Sequence, residues 1–142
     1  VLLVAALAAA LSQVIKAGPL LEFVGDAFAS NRASGRLAAL AACFSLAAVI
    51  KSIQGSSLIA VVIASGFMAS LPETVGLNPA LAVAAVGAGA LVVSHVNDPF
   101  YWILQKTLGW SPQEMARIWT VVTAIEGLAA FVAVCIMAVF VR

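Results

Sequence analysis

The chain has 142 residues, of which 64% are hydrophobic and 9% are charged, and its formal net charge is +1. A soluble domain has about 45–50% apolar and about 25% charged residues, so the composition excludes a soluble globular protein. The small net charge gives no reason to expect nucleic acid as a partner. The apolar runs are long and do not alternate with polar residues, which predicts helices rather than strands. The sequence therefore predicts an all-α integral membrane protein whose surroundings are the lipid bilayer.

The first segment, residues 1–30, has two short apolar stretches on either side of the turn at Gly18 and Pro19. Two short helices on either side of such a turn are typical of a re-entrant hairpin. This structure is stable within the membrane only where protein or a water-filled cavity surrounds it. One full span followed by an interfacial helix explains the same pattern equally well. Because Val1 opens inside an apolar stretch and is not Met, we interpret the chain as a piece of a longer protein.

A polar island, residues 51–57, interrupts the apolar run 37–71. As one continuous helix this run would be roughly 52 Å long, whereas the hydrocarbon core of a bilayer is about 30 Å thick. The run therefore tilts steeply, forms two helices or breaks, and the island is the natural place for a break because Gly55 adds backbone freedom. We predict a discontinuous helix, with which secondary transporters build a binding site. A kinked helix packed through small residues is the structural alternative.

The next helix is predicted over residues 79–104, with Asn78 as its N-cap and a proline at its first position. Gly87 and Gly89 are expected to leave one side of this helix thin, so that a neighbouring helix approaches closely. Pro99 disfavours helix at the residue before it, which predicts a break or kink at the polar cluster just ahead of that proline.

The last helix is predicted over residues 112–141, because Ser111 and Glu114 have the spacing of a capping box around a proline at the first helical position. The positive-inside rule places the loop 31–36, with its two arginines, and the segment 105–117, with Lys106 and Arg117, in the cytoplasm, and the loop 72–78, which carries only Glu73, outside. The C-terminus then falls outside as well, on the side of the membrane opposite the arginine loop.

The polar island supplies the candidates for substrate binding. Lys51 is its strongest outlier, since a lysine at bilayer depth costs about 2.5–3.5 kcal/mol on insertion scales and normally faces a cavity or a partner. We predict that it attracts an anionic substrate; the alternatives are a lysine that snorkels to the interface or bridges to Glu126. A half-helix that begins after the break would direct its free N–H groups at a substrate carboxylate. The predicted substrate-binding residues are Lys51, Gln54, Gly55, Ser56 and Ser57.

Proton coupling has four candidates, because polar and ionisable residues within membrane helices are functional by default. They are His95, Asn97, Asp98 and Glu126. For the first three the structural alternative is a capping cluster before a proline turn, and for Glu126 it is a structural hydrogen bond. The sequence has no nucleophile–base arrangement, no Gly-rich phosphate loop and no metal-ligand cluster. It therefore predicts no enzyme, no cofactor and no metal site.

Two stretches carry a resemblance to a known family. Residues 94–104 read S-H-V-N-D-P-F-Y-W-I-L, and residues 51–60 read K-S-I-Q-G-S-S-L-I-A. They resemble the S-H-V-N-D-S-G-F-W signature and the R-x-A-Q-G-S-A-T-V-A segment of the gluconate permease family of bacterial organic-acid:proton symporters. Lys51 stands where the family usually has arginine, which grips a carboxylate with two parallel hydrogen bonds, and Pro99 stands in a serine position.

The resemblance implies proton-driven uptake of gluconate, or of a related small sugar acid or organic anion, by a multi-pass protein of the bacterial inner membrane. It also implies a transporter of inverted-repeat type with a re-entrant hairpin and a discontinuous helix. Residues 1–142 would be a single membrane domain, the second repeat, in the C-terminal half of that transporter. The alternatives are a symporter of another carboxylate with sodium coupling and a non-transporting helical membrane subunit. Homo-oligomer formation stays open.

Overall fold

A computed structural model describes residues 35–68 and 77–141, and this part of the chain is helical. Two of its helices, the first and the last, are long and apolar enough to cross a membrane. The predicted all-α class is therefore confirmed for the described residues, whereas the hairpin predicted over residues 1–30 lies outside them. The helices are α1 (Gly35–Gln54), α2 (Ser57–Met68), α3 (Pro79–Leu91), α4 (Pro99–Leu108) and α5 (Pro112–Phe140).

Three of these helices begin with the same device, a polar cap followed by proline. The side chain of Asn78 accepts a hydrogen bond from Ala80 N at the start of α3, and that of Asp98 accepts from Phe100 N at the start of α4. Ser111 forms the predicted capping box at the start of α5. Proline is tolerated there because the first N–H of a helix has no intrahelical partner. The break predicted before Pro99 is thus observed, and it divides the segment 79–104 into two helices.

Helices α1 and α3 run parallel and in close contact. A Cβ on Gly89 would overlap the carbonyl oxygen of Phe44, and eight residues further along both segments Asn97 Nδ2 lies 2.8 Å from the carbonyl oxygen of Ser52. A Cβ on Gly87 would meet nothing within 4 Å. The prediction that both glycines thin one side of the helix is therefore wrong for Gly87, because residues two apart point to nearly opposite sides of a helix.

Helix α5 runs antiparallel to this pair. The rings of Phe131 and Phe44 lie 4.4 Å apart, and the Arg36 guanidinium at the start of α1 donates to the carbonyl oxygen of Val141, 3.4 Å away, at the end of α5. The prediction that the C-terminus lies across the membrane from the arginine loop is therefore wrong. The cause is that α2 folds back beside α1, so the run 37–71 is not one broken span in a single direction. Because α5 is antiparallel to α1, the beginning of α5 also lies opposite the arginine loop.

Helix α2 folds back beside α1 instead of continuing its line. Ala64, two turns into α2, belongs to one core cluster with residues of α1, α3 and α5. The buried members of that cluster on α1 and α3 reach no further than Ala47 and Val86, well short of the end of α1. A helix that continued in line would carry Ala64 away from them, because it rises about 1.5 Å per residue. The polar island is therefore the tip of a helical hairpin.

Candidate functional site

The tip of this hairpin is built on Gly55. Its backbone has φ +87, a conformation that costs a residue with a side chain about 1–2 kcal/mol. Its N–H donates to the carbonyl oxygen of Lys51, 2.8 Å away, which closes the last turn of α1. A Cβ at Gly55 would overlap the carbonyl oxygen of Asn97. The linker between α3 and α4, residues 92–98, therefore lies directly against the tip. A glycine is needed here both for the turn and for this close approach.

A buried ion pair joins the tip to that linker. Lys51 is 1% exposed, and its Nζ donates to the carbonyl oxygen of Gly55 and to Asp98 Oδ2, the latter at 2.7 Å. Asp98 Oδ2 also accepts from Ser94 Oγ at 2.7 Å, and Asp98 Oδ1 accepts from Phe100 N at 2.9 Å. Three donors therefore converge on one carboxylate, which favours its ionised form. The pair is neutral and satisfied, as a buried pair of charges must be.

The partner of Lys51 differs from the one that we weighed in the sequence. A bridge from Lys51 to Glu126 is wrong, since Asp98 holds the ammonium. Asp98 is close because its linker follows a helix parallel to α1, a relationship that the spacing of the residues along the chain does not reveal. Glu126 instead borders a cavity described below.

Two predicted site residues satisfy backbone oxygens around the tip. Asn97 Nδ2 donates to the carbonyl oxygens of Ser52 and Ile53, at 2.8 and 3.3 Å, in the last turn of α1. Gln54 Nε2 donates to the carbonyl oxygen of Ser56 at 3.1 Å. The last carbonyl groups of a helix have no partner within it. The structure therefore gives Asn97 the capping role that we weighed against proton coupling.

The same linker is fastened to α5 on its other side. Ser94 N donates to Thr123 Oγ1 at 3.0 Å, and Thr120 Oγ1 donates to the carbonyl oxygen of Ser94 at 2.8 Å. Thr123 lies about 17 Å from the beginning of α5 and about 26 Å from its end, so the linker meets this long helix well inside its length. The ion pair and the hairpin tip thus lie beside an inner part of a helix that is long and apolar enough to cross a membrane.

A cavity of about 550 Å³ opens beside the ion pair. The beginning of α2, the linker, α4 and α5 all contribute to it. Its polar lining contains hydroxyl groups and two carboxylates, and its apolar lining contains two aromatic rings whose centroids lie 6.1 Å apart. Lys51 is not part of the lining. The lining residues are Ser56, Ser57, Leu91, Ser94, Asp98, Pro99, Phe100, Ile103, Trp119, Thr123 and Glu126.

The beginning of α2 is the part of the lining that suits an anion. Ser56 occupies the N-cap position, with its Oγ 3.5 Å from the backbone nitrogen of Ile59. The first N–H groups of a helix have no acceptor one turn back, and the helix dipole places positive charge at the same end. Ser56 and Ser57, both predicted to bind substrate, therefore border the cavity at the end of α2 that favours an anion.

The sequence reasoning missed several lining residues. Phe100, Trp119 and Ser94 were not predicted as site residues, although Ser94 precedes Asp98 by one helical turn of sequence. His95, a predicted coupling residue, is not in the lining; its Nδ1 is buried without a hydrogen-bond partner, as is Trp119 Nε1. Within residues 35–68 and 77–141 no three side chains of His, Cys, Asp or Glu are grouped to hold a metal ion.

The family of the chain follows from comparison with known proteins. The family described as GntP family permease matches residues 1–140. The chain belongs to the GntP permease family. Membership agrees with the resemblance carried by the residues around Lys51 and Asp98, which the fold brings together as an ion pair.

Individual permeases and transporters are similar to this chain over shorter stretches. The uncharacterised permease YojA of Bacillus subtilis is 34% identical over 116 residues, which are 82% of this chain and 25% of that protein. The high-affinity gluconate transporter of Escherichia coli is 35% identical over 89 residues, 63% of this chain and 20% of that protein. The Gnt-II system L-idonate transporter of Escherichia coli is 31% identical over 98 residues, 69% of this chain and 22% of that protein.

The matched stretches thus span about a quarter of the length of these curated relatives. The solved structures contain no significant match to the chain.

Proposed function

We propose that this protein is a secondary transporter that carries gluconate, or a related small sugar acid, across the bacterial inner membrane together with protons. The observation that carries the proposal is the cavity of about 550 Å³ at the hairpin tip, which the beginning of α2 borders. Its volume lies within the range of small-molecule sites, about 300–1,000 Å³. The names of two relatives, a gluconate transporter and an L-idonate transporter, favour a sugar acid as the substrate.

The carboxylate of the substrate binds at the beginning of α2. The free backbone N–H groups in the first turn of α2, where Ser56 and Ser57 lie, donate hydrogen bonds to it. The positive end of the helix dipole adds a favourable charge. Gly55 permits the turn that directs these amides into the cavity, and Gln54 holds the turn through Ser56. The hydroxyl groups of the sugar acid find partners in Ser94 and Thr123 across the cavity.

Proton coupling needs a group that titrates within reach of the substrate. Asp98 and Glu126 both border the cavity, whereas His95 lies outside its lining and Asn97 caps the end of α1. An anion that enters a cavity already bordered by two carboxylates is repelled unless a proton neutralises one of them. This requirement links uptake of the anion to uptake of a proton, and it makes transport, not catalysis, the function of the site.

The assembly that we propose follows from the same resemblance. The protein is multi-pass, and this chain contributes the second repeat of an inverted-repeat transporter, with the hairpin tip in the role of the discontinuous helix. The exposed apolar side chains along α5 face lipid or a second copy in a homo-oligomer.

The test is uptake of radiolabelled gluconate by the full-length gene product in liposomes. Ser57→Asp places a negative charge at the beginning of α2, where it stabilises the helix but repels an anionic substrate. Ser57→Asn is the matched neutral control. We expect uptake to fall at least tenfold in Ser57→Asp and to stay within a few-fold of wild type in Ser57→Asn. Equal uptake by the two variants contradicts a carboxylate site at the beginning of α2.

The coupling ion is tested in the same liposomes. An inward proton gradient in sodium-free buffer is expected to drive accumulation of gluconate. Accumulation that requires a sodium gradient instead assigns coupling to sodium. A protein that moves none of a panel of sugar acids under either gradient is not a transporter of this class.

A further inference from the structure

The ion pair between Lys51 and Asp98 is placed between the cavity and the protein interior. Asp98 borders the cavity, whereas Lys51, which lies behind it, is 1% exposed. The Asp98 carboxylate therefore separates the ammonium of Lys51 from the cavity and neutralises its charge. Its other acceptor is the carbonyl oxygen of Gly55, whose neighbour Ser56 borders the cavity as well. The positive charge of Lys51 thus lies next to the proposed anion site, where it is paired with the carboxylate of Asp98.

The charged and titratable groups around Asp98 are few among the described residues. Lys51 faces it from α1, and Glu126 borders the same cavity from α5. His95 belongs to the same linker. Helix α2 contributes hydroxyl groups, and the Tyr101 hydroxyl of α4 is bound to the carbonyl oxygen of Pro112 at 3.0 Å. Lys51 is the only cation in this set, so any anion that needs a counter-ion here competes with Asp98 for it.

Resting on the proposed function, we propose that Asp98 and the substrate carboxylate exchange places as the counter-ion of Lys51, with protonation of Asp98 as the condition for the exchange. One proton is thereby carried with each anion. Asp98 is then the proton-binding residue, and the exchange sets the stoichiometry.

The charge balance supports this exchange. Before binding, the ammonium of Lys51 and the carboxylate of Asp98 sum to zero. A proton then binds to Oδ2 of Asp98, which becomes a neutral carboxyl group, and the anion enters and restores the sum to zero. An uncompensated charge in a buried site costs several kcal/mol, so the intermediate with Asp98 ionised and the anion bound is disfavoured. Release reverses the steps, and the proton leaves Asp98 as the ammonium returns to it.

The local geometry allows the exchange without rebuilding the backbone. Lys51 keeps its bond to the carbonyl oxygen of Gly55, which holds the ammonium at the tip. Asp98 keeps its bond from Phe100 N through Oδ1, so that the N-cap of α4 survives protonation of the other oxygen. The contact of 2.7 Å between Nζ and Oδ2 has to change, and the hydrogen bond of 2.7 Å from Ser94 Oγ to the same oxygen changes with it.

The first test uses the wild-type full-length gene product and gluconate. The proton uptake on binding is obtained by calorimetry in buffers of different ionisation enthalpy, and we expect one proton per gluconate at pH 7. Since gluconate itself stays ionised above pH about 5, its affinity is expected to fall about tenfold per pH unit where Asp98 is ionised. Binding without proton uptake overturns the exchange while leaving the proposed transporter intact.

The second test separates Asp98 from Glu126. Asp98→Asn imitates the protonated state, so it is expected to bind gluconate with an affinity that does not change between pH 6 and pH 8. In this variant gluconate exchange across the membrane persists, but an imposed proton gradient no longer drives accumulation. Glu126→Gln is expected to keep the pH dependence. Loss of that dependence in Glu126→Gln, or its persistence in Asp98→Asn, overturns the proposal. Glu114→Gln, at an exposed capping position where glutamine also serves, is the control for a carboxylate-to-amide change.

The third test concerns the ammonium. Lys51→Met is expected to weaken gluconate binding at least tenfold at every pH, whereas Lys106→Met, at an exposed position of α4, leaves it unchanged. Unaltered affinity in Lys51→Met overturns the exchange. Wild-type protein that binds no organic anion at any pH instead removes the proposed function itself, so the two failures are distinguishable.

Discussion

Asn97 Nδ2 lies 2.8 Å from the carbonyl oxygen of Ser52, so a side chain of the linker takes the position that the next turn of α1 would otherwise occupy. The same nitrogen lies 3.3 Å from the carbonyl oxygen of Ile53. These two bonds tie the end of α1 to the residue that precedes Asp98. The geometry of the buried ion pair therefore depends on a neighbour that carries no charge.

A substitution of Asn97 tests whether the geometry of the Lys51–Asp98 ion pair depends on this residue. Asn97→Ala removes both bonds and is expected to lower the free energy of unfolding by about 1 kcal/mol, measured by denaturant titration in mixed micelles. It is also expected to reduce gluconate uptake, because Asp98 loses its fixed position. Asn78→Ala removes an N-cap far from the cavity and costs a similar amount of stability. If both variants reduce uptake equally, the effect of Asn97 is one of stability alone.

The conformation of Gly55 gives a second prediction. Gly55→Ala combines a positive φ with an overlap against the backbone of Asn97, and we expect a loss of more than 3 kcal/mol in the free energy of unfolding together with loss of uptake. Gly109 also has a positive φ, +67, but a Cβ there meets nothing within 4 Å. Gly109→Ala is therefore expected to cost only about 1 kcal/mol. Equal losses in the two variants would show that the approach of Asn97 is unimportant.

The sequence predicted those features that depend on local chemistry. The caps at Asn78 and Ser111 and the break before Pro99 follow from residue type and spacing, and each is observed. The interruption at Gly55 was predicted from the length of the apolar run, which exceeds the thickness of a bilayer. These inferences needed no knowledge of distant contacts.

The features that the sequence left open depend on how helices pack. That α2 folds back beside α1, and that Lys51 pairs with Asp98 and not with Glu126, follow from the parallel arrangement of α1 and α3. Nothing in the spacing of those residues specifies this arrangement, because an apolar helix in lipid has no strongly amphipathic pattern to mark its packed side. The cavity lining likewise combines three stretches that are separate in sequence, residues 56–57, 91–103 and 119–126.

The crossing of α1 and α3 gives a third prediction, with a matched pair on one helix. Gly89→Ala would place a methyl group against the carbonyl oxygen of Phe44, so we expect the helices to separate and the free energy of unfolding to fall by about 2–4 kcal/mol. Gly87→Ala meets no neighbour within 4 Å and improves helix propensity, with an expected gain of up to about 1 kcal/mol. Opposite signs for two substitutions of the same type, measured by denaturant titration, would confirm the crossing. A stabilising Gly89→Ala would contradict it.

The bond from Ser94 N to Thr123 Oγ1 gives a fourth prediction, because it joins the linker to α5 beside the cavity. Thr123→Val conserves shape but leaves a buried N–H without an acceptor, which costs about 1–3 kcal/mol. Ser94 also donates to Asp98, so its displacement disturbs the carboxylate that holds Lys51, and we expect the pH dependence of gluconate affinity to change. Thr107→Val is the control, since Thr107 is exposed and bonds only within its own helix, to the carbonyl oxygen of Ile103. A change in pH dependence with Thr123→Val but not with Thr107→Val locates the coupling network at the junction of the linker with α5, whereas a loss of stability without that change makes Thr123 a packing residue.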